Sequence, residues 1–101
     1  MDVFILGRKN RTNAKGTYTP ETGELTVKKG SVVSENIAEF KATNKIQELR
    51  NKYTDDNGIV QKDVTFQSAS FAAAFVAGYS ANGLLAWHVE KHVTLKDSIQ
   101  K

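Results

Sequence analysis

The chain has 101 residues, 40% of them hydrophobic and 25% charged, and its formal net charge is +3. A chain of this length is expected to form one domain, residues 1–101, around one core. The absence of cysteine excludes disulfides and thiolate zinc sites and fits a reducing, cytoplasmic location. No apolar run reaches the ~20 residues of a membrane-spanning helix, and the opening residues lack the features of a signal peptide.

The first third of the chain predicts part of a small β-sheet. Residues 3–6 form a short apolar run that is typical of a strand. Residues 20–23, PETG, predict a type I turn, and apolar and polar residues alternate after it. We therefore expect a hairpin of residues 15–19 and 24–28. Residues 31–34 are predicted to continue as a strand.

The middle of the chain changes to a helical period. From residue 43 to 53, apolar side chains recur three and four positions apart, which predicts an amphipathic helix. Thr43 is placed to cap its start, and the turn-forming residues 55–58 are expected to end it. Short strands are expected at residues 59–60 and 64–67.

The most strongly patterned helix follows, within the sequence FQSASFAAAFVAGYSANGLLAW at residues 66–87. Ser68 is its predicted N-cap, with Ser70 able to assist, and Gly78 is the expected residue just beyond its end. The alanines between them leave hardly any polar face, and a helix that is apolar all round is a buried one. Small side chains would let a sheet or a second helix approach its backbone closely.

The last part of the chain predicts a hairpin and holds the most tempting metal pattern. The Asn-Gly pair at residues 82–83 predicts a tight turn, a half-buried strand or hairpin follows it, and residues 94–100 predict a short helix. On a strand, His88, Glu90 and His92 would share one face. The zinc-protease pattern needs a glutamate directly after the first histidine, and a third ligand is not apparent. We therefore expect no metal and no cofactor.

No catalytic motif emerges, and the elements together define the expected fold. Residues 28–31, KKGS, lack the order of a phosphate-binding loop. No nucleophile elbow is present, and nothing in the sequence brings a serine and a histidine together, so we expect no enzyme. The pattern predicts an α+β fold, in which a small antiparallel or mixed sheet of about five strands packs against two main helices.

Positive charge is concentrated in residues 1–34, which carry six basic and three acidic side chains. This bias is compatible with a polyanion such as DNA or RNA, and a solvated loop is the alternative. Free N–H groups and serine hydroxyls at the start of the alanine-rich helix could also hold phosphate, with capping and turn roles as the alternatives. The residues expected to contact nucleic acid are Arg8, Lys9, Arg11, Lys15, Lys28, Lys29, Ser68, Ser70 and Asn82.

Most of the chain also carries a family resemblance. In order, its segments are VFIL at 3–6, AKGTYTP at 14–20, VKKGS at 27–31, LR at 49–50, DNGIV at 56–60, FQSASFAAA at 66–74, GYSANG at 78–83, and Trp87. They resemble the bacterial domain of unknown function that is appended C-terminally to GIY-YIG-type nuclease domains. The ending is similar to the restriction-enzyme adenine-methylase-associated domain. The family usually has Pro, Trp and often a basic residue where this chain has Ala69, Leu84 and Tyr79.

The resemblance implies an accessory, DNA-related module without catalytic residues of its own. Two hypotheses follow from it. The first is a nucleic-acid-binding domain that uses the basic residues of the first third. The second is a protein-interaction module that docks against a partner nuclease or methylase domain, which the lost charge at Tyr79 favours. A steep dependence of binding on salt would distinguish the first from the second.

Overall fold

The structure is a computed structural model that describes residues 1–7 and 12–99. Its strands are β1 (Asp2–Leu6), β2 (Asn13–Thr19), β3 (Glu24–Val27), β4 (Val64–Phe66), β5 (His88–Glu90) and β6 (Val93–Thr94). Its helices are α1 (Thr43–Tyr53), α2 (Ala69–Ala77), α3 (Gly83–Ala86) and α4 (Leu95–Ile99). The predicted α+β fold is confirmed, with six strands in the described part rather than about five. None of the helices described is long and apolar enough to cross a membrane.

The strands form one antiparallel sheet in the order β4-β3-β2-β1-β5-β6. The predicted hairpin is confirmed as β2 and β3, in which Tyr18 pairs with Leu25. At its turn, the carbonyl of Thr19 accepts the N–H of Gly23 at 2.8 Å. Gly23 has a φ of +79°, which glycine adopts without steric cost. The turn chemistry read from the sequence therefore sets the register of the central strands.

Alternation along the strands gives the sheet one covered face and one open face. Val3 and Leu25 are buried on the covered face, where α2 packs against β3 and β4. Residues of the opposite parity point away from this core. On that open face, Phe4 of β1 pairs with Lys15 of β2 on one side and with His88 of β5 on the other. The helices therefore fill one side of the sheet and leave Phe4 and its neighbours on the other.

Helix α2 lies within the core, as predicted. The hydroxyl of Ser68 caps it by accepting the N–H of Phe71 at 3.1 Å, and Gly78 ends it with a φ of +82°. Seven of its nine residues are buried, because small side chains allow β-strands and other helices to approach its backbone. Phe75 is fully buried, and its ring packs against that of Phe66 with 5.1 Å between the centroids.

Helix α1 occupies the predicted range, but Thr43 does not cap it. The N-cap position is Ala42, whose side chain makes no capping bond. The Thr43 hydroxyl instead accepts the N–H of Phe40 at 2.6 Å and donates to the carbonyl of Ala38 at 2.8 Å. The cap prediction was wrong because the chain entering α1 folds back over its first turn and takes up this hydroxyl.

Two segments predicted as strands, residues 31–34 and 59–60, are only isolated bridges. Val32 bridges Asn13 and Ile59, and Val60 bridges Thr54. The cause lies in the hydrogen bonds of the first segment, whose successive N–H groups donate to carbonyls of different elements. These donors are Val32, Val33 and Ser34, and their acceptors are Asn13, Gly58 and Val76. In a strand, residues two apart would donate to the same neighbouring strand, whereas Val32 and Ser34 donate to different elements, so no ladder extends along this segment.

The Asn82-Gly83 pair begins α3 instead of forming a tight turn. The side-chain oxygen of Asn82 accepts the N–H of Leu84 at 3.0 Å, as an N-cap does. A Cβ on Gly83 would lie 2.1 Å from the carbonyl carbon of Ala69, so only glycine lets α3 touch the start of α2. The hairpin predicted after this point is confirmed as β5 and β6. The final helix is α4, although residue 100 of the predicted range lies outside the described residues.

Candidate nucleic-acid interface

Three of the predicted basic residues come together in one hollow of about 280 Å³. Lys15, Lys28 and Lys29, which we call the lysine cluster, are all exposed. The backbone N–H of Lys28 donates to the carbonyl of Lys15 at 2.8 Å, so these two residues are neighbours across the end of the β2–β3 hairpin. Three ammonium groups around one hollow create a local positive potential that attracts phosphate.

The backbone beneath the lysine cluster is fixed by Gly30 and Ser31. Gly30 has a φ of +91°, and its N–H donates to the carbonyl of Val60 at 2.8 Å. The buried Ser31 hydroxyl accepts the N–H of Lys15 at 3.0 Å and donates to the Lys15 carbonyl at 3.2 Å. The chain therefore holds the lysine backbone in place while the side chains reach solvent, which reduces the ordering cost of binding.

One carboxylate, that of Asp63, competes for the lysine cluster. Its oxygens lie 3.6 Å from Lys28 Nζ and 2.8 Å from the backbone nitrogen of Lys29, which donates to it. The backbone N–H of Lys29, together with the positive charge of Lys28, holds the pKa of Asp63 below its usual range. The carboxylate is therefore charged at neutral pH, and it offsets one of the three lysine charges.

The other predicted basic residues, Arg8, Lys9 and Arg11, lie outside the described residues, and their contribution stays a prediction. The residues that flank their segment are joined, because the N–H of Gly7 donates to the carbonyl of Thr12 at 2.9 Å. The next residue along the chain, Asn13, lines the same hollow as the lysine cluster. Asn13, in the described part of the chain, therefore lies beside the lysine cluster.

The remaining candidates, Ser68, Ser70 and Asn82, form a second group at the start of α2, which we call the serine group. Their side chains bind backbone groups: Ser68 and Asn82 cap α2 and α3, and the Ser70 hydroxyl accepts the N–H of Gly83 at 3.0 Å. None of the three lines the hollow of the lysine cluster. The structure does not bring the two groups together, and contact between the serine group and nucleic acid stays a prediction.

A further cation, Arg50, was given no role by the sequence analysis. It is only 6% exposed, and its guanidinium donates to the carbonyls of Phe75 and Ser34 at 2.9 and 2.8 Å and to the Ser34 hydroxyl at 3.0 Å. Burial lowers its pKa to about 10, so it remains charged at neutral pH. Its charge is used to join α1 to the last turn of α2, where carbonyl dipoles favour a cation.

A cavity beside α1 does not suit a polyanion. It has a volume of about 750 Å³ and lies between α1 and the two loops at residues 32–37 and 55–59. Glu35, Asp55 and Asp56 are among its lining residues, so like charges would repel phosphate. Of the cavity beside α1 and the hollow of the lysine cluster, the hollow is therefore the better phosphate site.

The histidines of the hairpin do not assemble a metal centre in the part of the chain that the structure describes. His88 lies in β5, with its Nδ1 3.0 Å from the carbonyl of Ala86, whereas His92 lies in the turn between β5 and β6. The shared strand face expected for His88, Glu90 and His92 is therefore wrong, because the strand ends at Glu90. Within residues 1–7 and 12–99, no three metal-binding side chains gather.

The fold and the lysine cluster define a small α+β module with exposed lysines near the start of β2 and just after the end of β3. Residues 4–99 match the family described as Domain of unknown function (DUF4357). Because this match spans almost the whole sequence, the chain belongs to that family. No significant match was found among curated proteins or among solved structures.

Proposed function

We propose that this protein is a non-catalytic accessory module that binds nucleic acid, with DNA as the expected form, through the lysine cluster. The observation that carries the proposal is the convergence of Lys15, Lys28 and Lys29 on one hollow above a fixed backbone. The resemblance to domains that accompany GIY-YIG-type nucleases and adenine methylases supports DNA as the partner.

Binding at this cluster acts on the phosphate backbone. Lysine is a compact point charge on a flexible stem, so it contacts phosphate without reading base identity. Each phosphate neutralised on duplex DNA contributes about −0.9 to the slope of log K against log salt. Three lysine contacts therefore give a slope of about −2.7, and affinity falls steeply as salt is raised.

Fluorescence anisotropy with a labelled oligonucleotide over a range of salt concentrations tests this function. In the variant Lys15→Gln/Lys28→Gln/Lys29→Gln, the affinity should fall, and the slope of log K against log salt should become shallower by about one unit per lysine. The matched control, Lys41→Gln/Lys45→Gln/Lys52→Gln, removes the same charge from exposed positions on and just before α1 and should keep most of the affinity. Equal losses in both variants, or no binding at low salt, would contradict the proposal.

A second candidate function is docking on a partner enzyme domain, and the exposure of Tyr79 favours it. This side chain is 48% exposed, and the family that the chain resembles often has a basic residue at this position. An aromatic side chain at an exposed position supplies contact area for a protein partner. A pull-down with a nuclease or methylase domain that persists at high salt and is lost in Tyr79→Lys would support docking. Loss of the complex at high salt would argue against it.

A further inference from the structure

We propose that the open face of the sheet binds single-stranded nucleic acid, with one unpaired base stacked on Phe4 and its phosphates on the lysine cluster. This inference rests on the proposed function and names the form of nucleic acid that the surface selects. The proposal covers both DNA and RNA, since single strands of either kind offer unpaired bases and phosphates.

The first observation is a groove of about 530 Å³ that crosses the open face. Strand residues of β1, β2 and β5 line it, together with Lys28, and no described helix contributes to it. Its lining is apolar in the middle, with Phe4, Leu6 and Val89, and cationic at one side, with Lys15 and Lys28. One carboxylate, that of Asp2, also lines the groove, two positions before Phe4 on β1. An exposed apolar surface with a charged rim is a mark of a binding site.

The second observation is the position of Phe4 at the centre of this groove. The ring is half-buried and does not belong to the hydrophobic core. It lies on β1, between β2 and β5, and its centroid is 6.0 Å from that of the His88 ring, with 31° between the planes. An aromatic ring on an open sheet offers a face on which a base can stack, and such stacking tolerates any base.

The third observation is that the groove and the lysine hollow are continuous. Asn13, Lys15 and Lys28 line both. Neighbouring strands lie about 4.8 Å apart. Lys15 on β2 is therefore on the order of 5 Å across the sheet from β1, which carries Phe4, and Lys28 at the end of β3 is on the order of 10 Å from it. Phosphates on these lysines would leave the attached bases over the groove. The positive rim thus matches the negative backbone, and the ring matches the unpaired base.

This arrangement discriminates against a duplex. Bases inside a double helix are already paired and stacked, so they cannot reach Phe4 without being unstacked. A duplex would contact the lysine cluster alone, through its phosphates. Single strands gain both contacts and should bind more tightly than a duplex of the same sequence at the same salt concentration.

The test measures the affinity of the protein for labelled single-stranded DNA, single-stranded RNA and duplex DNA of about 12 nucleotides. Phe4→Leu keeps an apolar side chain but removes the stacking surface, and should lower single-strand affinity about tenfold while leaving duplex affinity unchanged. Phe4→Tyr retains a ring and should bind like the original protein. Phe40→Leu makes the same change at a half-buried ring outside the groove and is the matched control. Circular dichroism confirms that each variant is folded.

The outcomes separate this inference from the proposed function. If Phe4→Leu lowers the affinity for single strands but not for the duplex, base stacking is supported. The single strand that binds more tightly shows whether DNA or RNA is preferred. If single strands bind no better than the duplex, or if Phe4→Leu changes nothing while the lysine variant loses affinity, the stacking inference is overturned and the lysine cluster stands. If no oligonucleotide binds, both are overturned.

Discussion

The lysine cluster and the serine group are both polar, and both were expected to contact phosphate. They differ in charge and in the hydrogen bonds that their side chains make within the fold. The lysine side chains are exposed, and Lys28 alone among them has an ion-pair partner in the described part of the chain. In the serine group, the hydroxyl of Ser70 and the amide of Asn82 already accept backbone N–H groups. Backbone N–H groups hold the serine-group side chains in place, whereas the lysine side chains project their positive charge into solvent, so the lysine cluster attracts phosphate more strongly.

The backbone around the lysine cluster also differs from the backbone around the serine group. At the lysine cluster, a Cβ added to Gly30 would meet nothing within 4 Å. At the serine group, a Cβ added to Gly83 would lie 2.2 Å from the backbone nitrogen of Ser70. The backbone at Gly30 therefore borders open space, whereas the backbone at Gly83 packs directly against the start of α2.

The largest expected effect comes from Gly83→Ala, which tests whether the serine group is a packing junction. The new methyl group would collide with the backbone of Ala69 and Ser70 and force α3 away from α2. We expect a loss of about 3 kcal/mol in the free energy of unfolding, measured by chemical denaturation. Gly30→Ala, the control at the lysine cluster, meets only backbone strain and should cost about 1 kcal/mol. Equal costs would contradict the difference drawn between the two regions.

A somewhat smaller loss is expected for Arg50→Met, which contrasts a buried cation with the exposed lysines. Methionine fills part of the space but leaves the carbonyls of Phe75 and Ser34 without their donor. We expect the free energy of unfolding to fall by about 2–3 kcal/mol. The affinity for oligonucleotides of the folded variant should not change. A clear loss of affinity with unchanged stability would show that Arg50 serves a ligand and not the fold.

The substitution Ser70→Ala tests whether the serine group serves the fold or a ligand. The substitution removes the acceptor for the N–H of Gly83 and should lower the free energy of unfolding by about 1 kcal/mol. Oligonucleotide affinity, measured by anisotropy well below the melting temperature, should stay the same. A drop in affinity without a drop in stability would place the serine group, and not the lysine cluster, at the interface.

The smallest expected effect is that of Asp63→Asn. Asparagine keeps an acceptor for the N–H of Lys29 but removes the charge that competes with phosphate for Lys28. The oligonucleotide affinity should rise about two- to threefold, in keeping with the weak energy of an exposed ion pair. Glu21→Gln, in the β2–β3 turn, makes the same charge change elsewhere on the exposed surface. A similar rise in that control would mean that net charge alone governs binding.

Local chemistry made much of the fold predictable. Ser68 and Gly78 bound α2 as expected because their cap bonds join residues only three or four positions apart, and the turn after Thr19 follows from its own sequence. Asn82-Gly83 was misread because the same pair suits a hairpin turn and an N-cap. What decides between them is the contact of Gly83 with Ala69, which lies 14 positions away in the sequence and is set by tertiary packing.

The candidate site was predictable only in part. The hairpin register predicted from the sequence already implied that Lys15 and Lys28 would be neighbours. The approach of Asp63, 34 positions from Lys29, could not be read from any local pattern. Phe4 was taken simply as part of an apolar strand, since nothing in a four-residue run shows which face of a sheet the helices will cover. The burial of Arg50 was equally hidden, because a basic residue in the last turn of a helix is ordinarily exposed.

The most direct measurement is a titration of ¹⁵N-labelled protein with a short single-stranded oligonucleotide at low salt. The amide chemical shifts are recorded at each step of the titration. The account predicts that the amides of Phe4, Lys15, Lys28 and Lys29 shift together and that raising the salt concentration reverses the change. The amides of Ser70 and Gly83 should remain in place. Shifts confined to the start of α2, or a spectrum that does not respond at low salt, would contradict the account.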